Sequence, residues 1–137
     1  ETYSDYYLEF EKNENSKSWM LDGNVIGDET KEVFEIPNII NLHPSIFDEG
    51  ALVFKDLKST KISLKSKKSD QIITISYKGF PYMGIWSKPQ ADFVCIEPWL
   101  GIADSINSNQ DFTTKEGIIK LDGGKTFEVS YSIEISE

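Results

Sequence analysis

FEVSYSIEIS, residues 127–136, alternates without a break: Phe127, Val129, Tyr131, Ile133 and Ile135 fall on one face, and Glu128, Ser130, Ser132 and Glu134 on the other. Successive side chains of an extended chain point to opposite faces, so a period of two over ten residues describes a half-buried strand. Working outward from it, KISLKS (61–66) turns Ile62 and Leu64 inward, and IITISYKG (72–79) does the same with Ile73, Ile75 and Tyr77. Turn residues lie between them at Lys67 to Asp70. YYLEFEK (6–12), SWML (18–21), KEVFEI (31–36), ALVF (51–54) and MGIWS (83–87) add further β-rich runs. About nine or ten short strands point to an all-β chain, an antiparallel β-sandwich, with a barrel as the related alternative. Helical signal is sparse: HPSIFDEG (43–50) suits one turn ending at Gly50, and GIADSIN (101–107) another. No linker, low-complexity tract or repeat divides the sequence, so residues 1–137 are expected to form a single domain.

The size allows a core of its own, burying about two thirds of the surface the unfolded chain exposes. The first residues, ETYSDYYLEFE, lack an initiator Met, a charged leader region and an apolar signal segment; such a start suits a processed end or the middle of a longer protein. No apolar run approaches a membrane span, and no membrane partner is expected. The one cysteine, Cys95, on an apolar strand, reads as a small buried hydrophobe in a reducing compartment, which places the chain in the cytoplasm. The formal charge is −9, from 23 acidic and 14 basic residues, and every basic residue is a lysine. A chain of this sign without arginine is poorly suited to phosphate or guanine contacts, which excludes nucleic acid as a partner. Lys65, Lys67 and Lys68 cluster at a hairpin, where solvation explains them better than an anion site.

FVCIEPWLGIAD (93–104) carries the chemistry. If a strand runs through it, Phe93, Cys95, Glu97 and Trp99 share a face, while Val94 and Ile96 point the other way. A carboxylate among apolar and aromatic side chains is costly unless it is paired, hydrogen-bonded or useful. Burial raises a carboxyl pKa toward neutrality, where a general base works best. Glu97 is therefore the first candidate for catalysis, and a structural glutamate bonded to a neighbouring loop satisfies the same pattern. Sugar rings present apolar C–H faces that stack on aromatic rings, so Trp86, Trp99, Phe80 and Tyr82 near this carboxylate offer a platform for one, or else part of the core.

Other motifs carry less. DGGKT (122–126) has the ending of a phosphate loop, but the first glycine of that pattern would fall at Ile119, and a strand follows instead of a helix; it reads as a hairpin turn. His43 is the only histidine, which rules out a histidine metal cluster and leaves no partner for a nucleophile system. No metal site is expected.

GFPYMGIWSKPQADFVCIEPWLGIADS (79–105) is similar to the signature of the galactose mutarotase-like proteins, in particular the aldose 1-epimerase relatives of the LacX type. IFDEGALVFKDLKS (46–59) and KEGIIKLDGGKTFEVSYSI (115–133) extend the likeness along essentially the whole chain. The resemblance implies a β-supersandwich and the interconversion of the α and β anomers of an aldose, a hexose or hexose derivative, without a cofactor. In family members a glutamate in the strand matching VCIEPW takes the proton from the anomeric hydroxyl; the ring opens, the C1–C2 bond rotates, and reclosure gives either anomer. Glu97 is the matching position. DSIN, Asp104 to Asn107, resembles an element that follows this glutamate in mutarotases proper, with one residue of difference in spacing; Asp104 is carried over from it as substrate-binding, beside Trp86 and Trp99, which the aromatic reading has shape the cleft.

The likeness covers only the C-terminal half of such proteins. Their other half supplies the histidine that protonates the ring oxygen, and His43 lies in the wrong place to replace it. The resemblance therefore leaves the general acid outside this chain and names a missing N-terminal half as a partner besides the sugar; read as half of a closed sandwich, the chain has exposed sheet edges that pair with a missing segment or with a second copy. A non-catalytic carbohydrate-binding sandwich is the alternative.

Overall fold

Residues 1–137 are described by a computed structural model. Ten strands follow in chain order: β1 (Tyr6–Phe10), β2 (Ser18–Asp22), β3 (Val25–Lys31), β4 (Ile39–Asn41), β5 (Leu52–Phe54), β6 (Lys61–Ser66), β7 (Ile72–Ser76), β8 (Tyr82–Trp86), β9 (Cys95–Trp99) and β10 (Ser132–Ser136). Helix is confined to 3₁₀ turns at Tyr3–Asp5 and Phe112–Thr114. The strands form two five-stranded antiparallel sheets, ordered β10-β7-β6-β1-β4 and β3-β2-β5-β8-β9. The expected antiparallel β-sandwich is what forms.

Alternation sets what each sheet buries. In the first sheet Leu8 stands between Leu64 and Ile40, and Ile62 opposite Ile75; in the second, Leu52 faces Ile85, and Phe54 faces Met83 across the ladder. These side chains meet in one cluster between the layers, with Phe10, Leu42, Phe47 and Tyr77. Phe34 leaves the ladder to stack edge-on against Phe10, with ring centroids 4.9 Å apart, and lies 5.8 Å from Phe54. Each fully buried large apolar side chain contributes about 1.5–3 kcal/mol.

The outward face of the second sheet has a smaller cluster of Ile26, Val53, Tyr82 and Ile102, against which Trp19, Leu21 and Trp99 pack. Ile102 belongs to the segment leaving β9. Ile26 N–H donates to Asp104 C=O at 2.8 Å and Ile106 N–H to Ile26 C=O at 2.8 Å, a parallel bridge that ties this segment to β3.

Several expectations are corrected. KEVFEI is no strand: only Lys31, ending β3, and an isolated bridge at Ile36 are extended pairs, because Phe34 is drawn into the aromatic core cluster. β3 begins instead after Gly23, whose φ of +59° supplies the first central residue of a tight two-residue hairpin between Asp22 and Val25. Residues 101–107 make no helical turn; Ser105 is engaged in the bridge to Ile26. Residues 43–50 do turn, through Ile46 to His43, Asp48 to Ser45 and Gly50 to Phe47 backbone bonds.

FEVSYSIEIS is the largest departure. Only Ser132–Ser136 pairs, with β7, and the whole strand is exposed: Ile133 by 59% and Ile135 by 75%. β7 ends at Ser76, so Phe127 to Tyr131 has no ladder to join. DGGKT is a turn, closed by Lys125 N–H to Asp122 C=O at 3.1 Å, but not a hairpin, since no strand flanks it directly. The lysine cluster is used structurally: Lys65 pairs with Glu9, Lys68 with Asp5 at 2.8 Å, and Lys67 donates to Ser4 C=O at 3.0 Å.

One polar contact fixes the loop chain inside the fold. Glu14, 6% exposed, accepts from the backbone N–H groups of Lys58 at 3.0 Å and Ser59 at 2.8 Å. Glu14→Ala leaves both amides unpaired and should destabilise the chain by about 2–3 kcal/mol, read as a lower denaturant midpoint at unchanged slope.

Candidate functional site

β8 and β9 carry the site. Their register sets Tyr82 opposite Trp99, Gly84 opposite Glu97 and Trp86 opposite Cys95, all on the outward face. Met83, Ile85 and Ile96 take the inward face and join the core. Of the four residues expected to share a face, Cys95, Glu97 and Trp99 do so on β9, while Phe93 precedes the strand and packs against Trp86. Glu97 is half-buried and stands in the middle of this row, with Trp99 on one side and the Trp86–Cys95 pair on the other.

Gly84 makes room for this arrangement. A Cβ there would stand 2.2 Å from Cζ2 of Trp99, so the indole lies across the glycine. The same indole donates its Nε1–H to Glu97 Oε2 at 3.1 Å. A small residue on β8 thus lets a large one on β9 lean over the sheet and hold the carboxylate from the side. Trp86, 40% exposed, packs edge-on to Phe93 with centroids 5.9 Å apart and leaves part of its ring to solvent.

The expected four-ring platform is divided. Tyr82 is buried beneath residue 117, where a Cβ would approach its ring to 2.8 Å, and Phe80 packs against Tyr131 at 6.3 Å. Only Trp86 and Trp99 flank Glu97. Cys95 is half-buried on the outward face beside Glu97, not a core residue, because the register turns it away from the sheet interface.

Asp104 is not gathered with Glu97. Its carboxylate pairs with Lys115 at 3.0 Å and lines a separate cleft with Ser105, Asn107 and Thr114. Trp99 lines a cavity of about 600 Å³ with Ile26, Val53, Ile102 and the 115–118 segment, and Glu97 is not among its walls. That segment is held down by Lys115 to Asp104 and by Lys55 to Glu116 at 2.9 Å, Lys55 also lying 4.2 Å over the Trp19 ring. Alternation alone gave no sign of this strap. His43 sits in an exposed loop with its Nδ1 3.1 Å from Ser45 Oγ. No group of histidine, cysteine and carboxylate side chains has the makings of a metal site, and no helix is long and apolar enough to cross a membrane.

Burial first, and then the charge of Glu97, push the Cys95 thiol above its ordinary range. The thiolate is the reactive form, so alkylation should demand a more alkaline pH than for a free thiol. Glu97→Gln removes the charge but not the burial. The midpoint of the pH profile for iodoacetamide labelling, at the chain's one cysteine, should move to lower pH in that variant; an unchanged midpoint would separate the two side chains.

No family model matches the chain. The plasmid and chromosomal forms of LacX from Lactococcus lactis subsp. lactis are each 29% identical to it over 139 aligned residues, covering 98% of this chain and 46% of theirs. The crystal structure of a galactose mutarotase related enzyme from Lactobacillus acidophilus superposes with a TM-score of 0.86 at 28% identity, over 100% of this chain and 47% of that one. A galactose mutarotase-like protein from Lactobacillus casei ATCC 334 gives 0.84 at 25% identity, over 97% and 47%. The chain spans about half the length of the relatives it matches. In sequence and in fold it is similar to LacX and to the galactose mutarotase-like proteins, and it matches their C-terminal half.

Proposed function

We propose that this chain carries the general base of an aldose 1-epimerase-type sugar site, and that Glu97 is that base. The observation behind the proposal is the half-buried Glu97 carboxylate, held by Trp99 on an outward sheet face between two tryptophans, in a chain similar to a galactose mutarotase related enzyme. Glu97 takes the proton of the anomeric hydroxyl as C1=O forms and the bond from C1 to the ring oxygen breaks. The ring oxygen receives its proton from an acid outside these residues. Rotation about C1–C2 and the reverse steps yield either anomer. Bonds shift and protons move without net oxidation, so the chemistry calls for no cofactor.

Trp86 and Trp99 would stack on the C–H faces of a hexose. Asp104 enters only as an acceptor for a sugar hydroxyl, through a carboxylate already paired with Lys115. The free thiol of Cys95 fits a cytoplasmic setting.

A second reading, a carbohydrate-binding sandwich without turnover, is favoured by one observation: the lone histidine, His43, is bound up in an exposed loop with Ser45. Missing the acid should cost on the order of 10²- to 10⁴-fold in rate.

Polarimetry of freshly dissolved α-glucose and α-galactose, with tryptophan fluorescence for binding, tests both. The chain alone should bind sugar and accelerate mutarotation weakly, and Glu97→Gln should abolish the acceleration with the fold intact. Undiminished acceleration in Glu97→Gln would remove Glu97 from the mechanism. Saturable binding with no acceleration at all would establish the second reading.

A further inference from the structure

Trp99 serves two spaces at once. Its indole Nε1–H reaches Glu97, and the same side chain forms a wall of the cavity of about 600 Å³ that Glu97 does not line. The floor of that cavity is apolar and closed: Val53 is 0%, Ile26 1% and Ile102 5% exposed. Its rim is polar, with Asn24 from the β2–β3 turn and Lys115 and Glu116 from the strap. Gly23 and Gly101 complete the walls at points where a Cβ would meet nothing within 4 Å, so a ligand can approach the backbone there closely.

The hollow has its shape before anything enters it. The pairs Lys115–Asp104, at 3.0 Å, and Lys55–Glu116, at 2.9 Å, pin the strap, and the bridge to Ile26 pins the segment that carries Ile102. An aromatic wall, an apolar floor and a few polar groups at the rim make the composition of a small-molecule site. The charges say which kind. Lys115, the cation in the wall, is neutralised by Asp104, and Glu116 by Lys55, so a phosphate or carboxylate substituent finds no free positive charge there. Glu116 bonds Lys55 through Oε2, which leaves Oε1 to accept from a hydroxyl.

A single hexose with its C1 at Glu97 leaves this cavity unfilled. We propose that the cavity is a second sugar subsite, and that the ligand is a neutral reducing disaccharide. The inference rests on the function proposed above. The reducing ring lies at Trp86 and Trp99 with its anomeric hydroxyl at Glu97, and the second ring, linked away from C1, lays its C–H face on the floor and turns its hydroxyls toward Asn24 and Glu116. An alkyl or aryl substituent suits the cavity less well, because the rim groups would lose water without gaining a hydrogen bond.

Isothermal titration of the 137-residue chain with maltose, cellobiose and lactose, each with glucose at its reducing end, tests this against glucose and glucose 6-phosphate. At least one disaccharide should bind about tenfold tighter than glucose, and glucose 6-phosphate should bind no tighter than glucose. Gly101→Phe sets a ring in the cavity wall where nothing crowds a side chain, and Ile118→Asp puts a charge on the wall from a half-exposed position. Each should keep the circular dichroism of the parent and bring the disaccharide and glucose affinities to within about twofold. No disaccharide preference, a preference that survives both variants, or a preference for the phosphate overturns the proposal. Titration of Glu97→Gln separates the subsite from the base. A disaccharide preference kept there, in a chain whose parent does not accelerate mutarotation, removes the base and leaves the subsite; acceleration without any preference removes the subsite alone.

Discussion

The structure depends on the apposition of two sheet faces, Leu8, Phe10, Ile62 and Ile75 on one side and Leu52, Phe54, Met83 and Ile85 on the other. Because side chains alternate strictly, fixing Met83 and Ile85 inward also fixes Gly84 outward, and with it the cross-strand residue Glu97. A slip of one residue between β8 and β9 would drive the carboxylate into the core, at the cost of burying an unpaired charge. The position of the site is thus a by-product of core register. Nothing on the outward face needs to specify it.

What the outward face adds is conformational control. Glycine opposite Glu97 lets the Trp99 indole lie flat over the ladder, and the indole nitrogen then meets the carboxylate. Ring, carboxylate and thiol form one row, in which burial and then the carboxylate discourage ionisation of Cys95. A single hydrogen bond orients Glu97 and leaves acceptor positions of the carboxylate free for a ligand.

Strands with a regular apolar alternation were legible in the sequence: KISLKS forms in full and IITISYKG over Ile72–Ser76, while the strand assumed through VCIEPW forms as Cys95–Trp99. The outward placement of Glu97 was legible once that strand was assumed. β3 was not, because its start depends on Gly23 and Asn24 making a two-residue turn, and its own residues, VIGDETK, hardly alternate. KEVFEI misled because Phe34 is apolar for the sake of an aromatic cluster and not of a ladder. Asp104 lay beyond periodicity altogether, since its partner, Lys115, comes from a segment without regular structure. FEVSYSIEIS stated a burial that these 137 residues do not complete: its pattern is that of a covered strand, and its exposure reports the size of the cover that is present.

The bridge between Ile26 and the segment at Asp104 to Ile106 joins the chain leaving β9, one border of the second sheet, to β3, the opposite border. A sheet tied border to border in this way is braced like a bow by its string. Motion that parts the two borders must break two backbone hydrogen bonds, and the segment leaving β9 is held with them. Anything that settles on β9 meets a stiff, already shaped surface and loses little freedom in fitting to it.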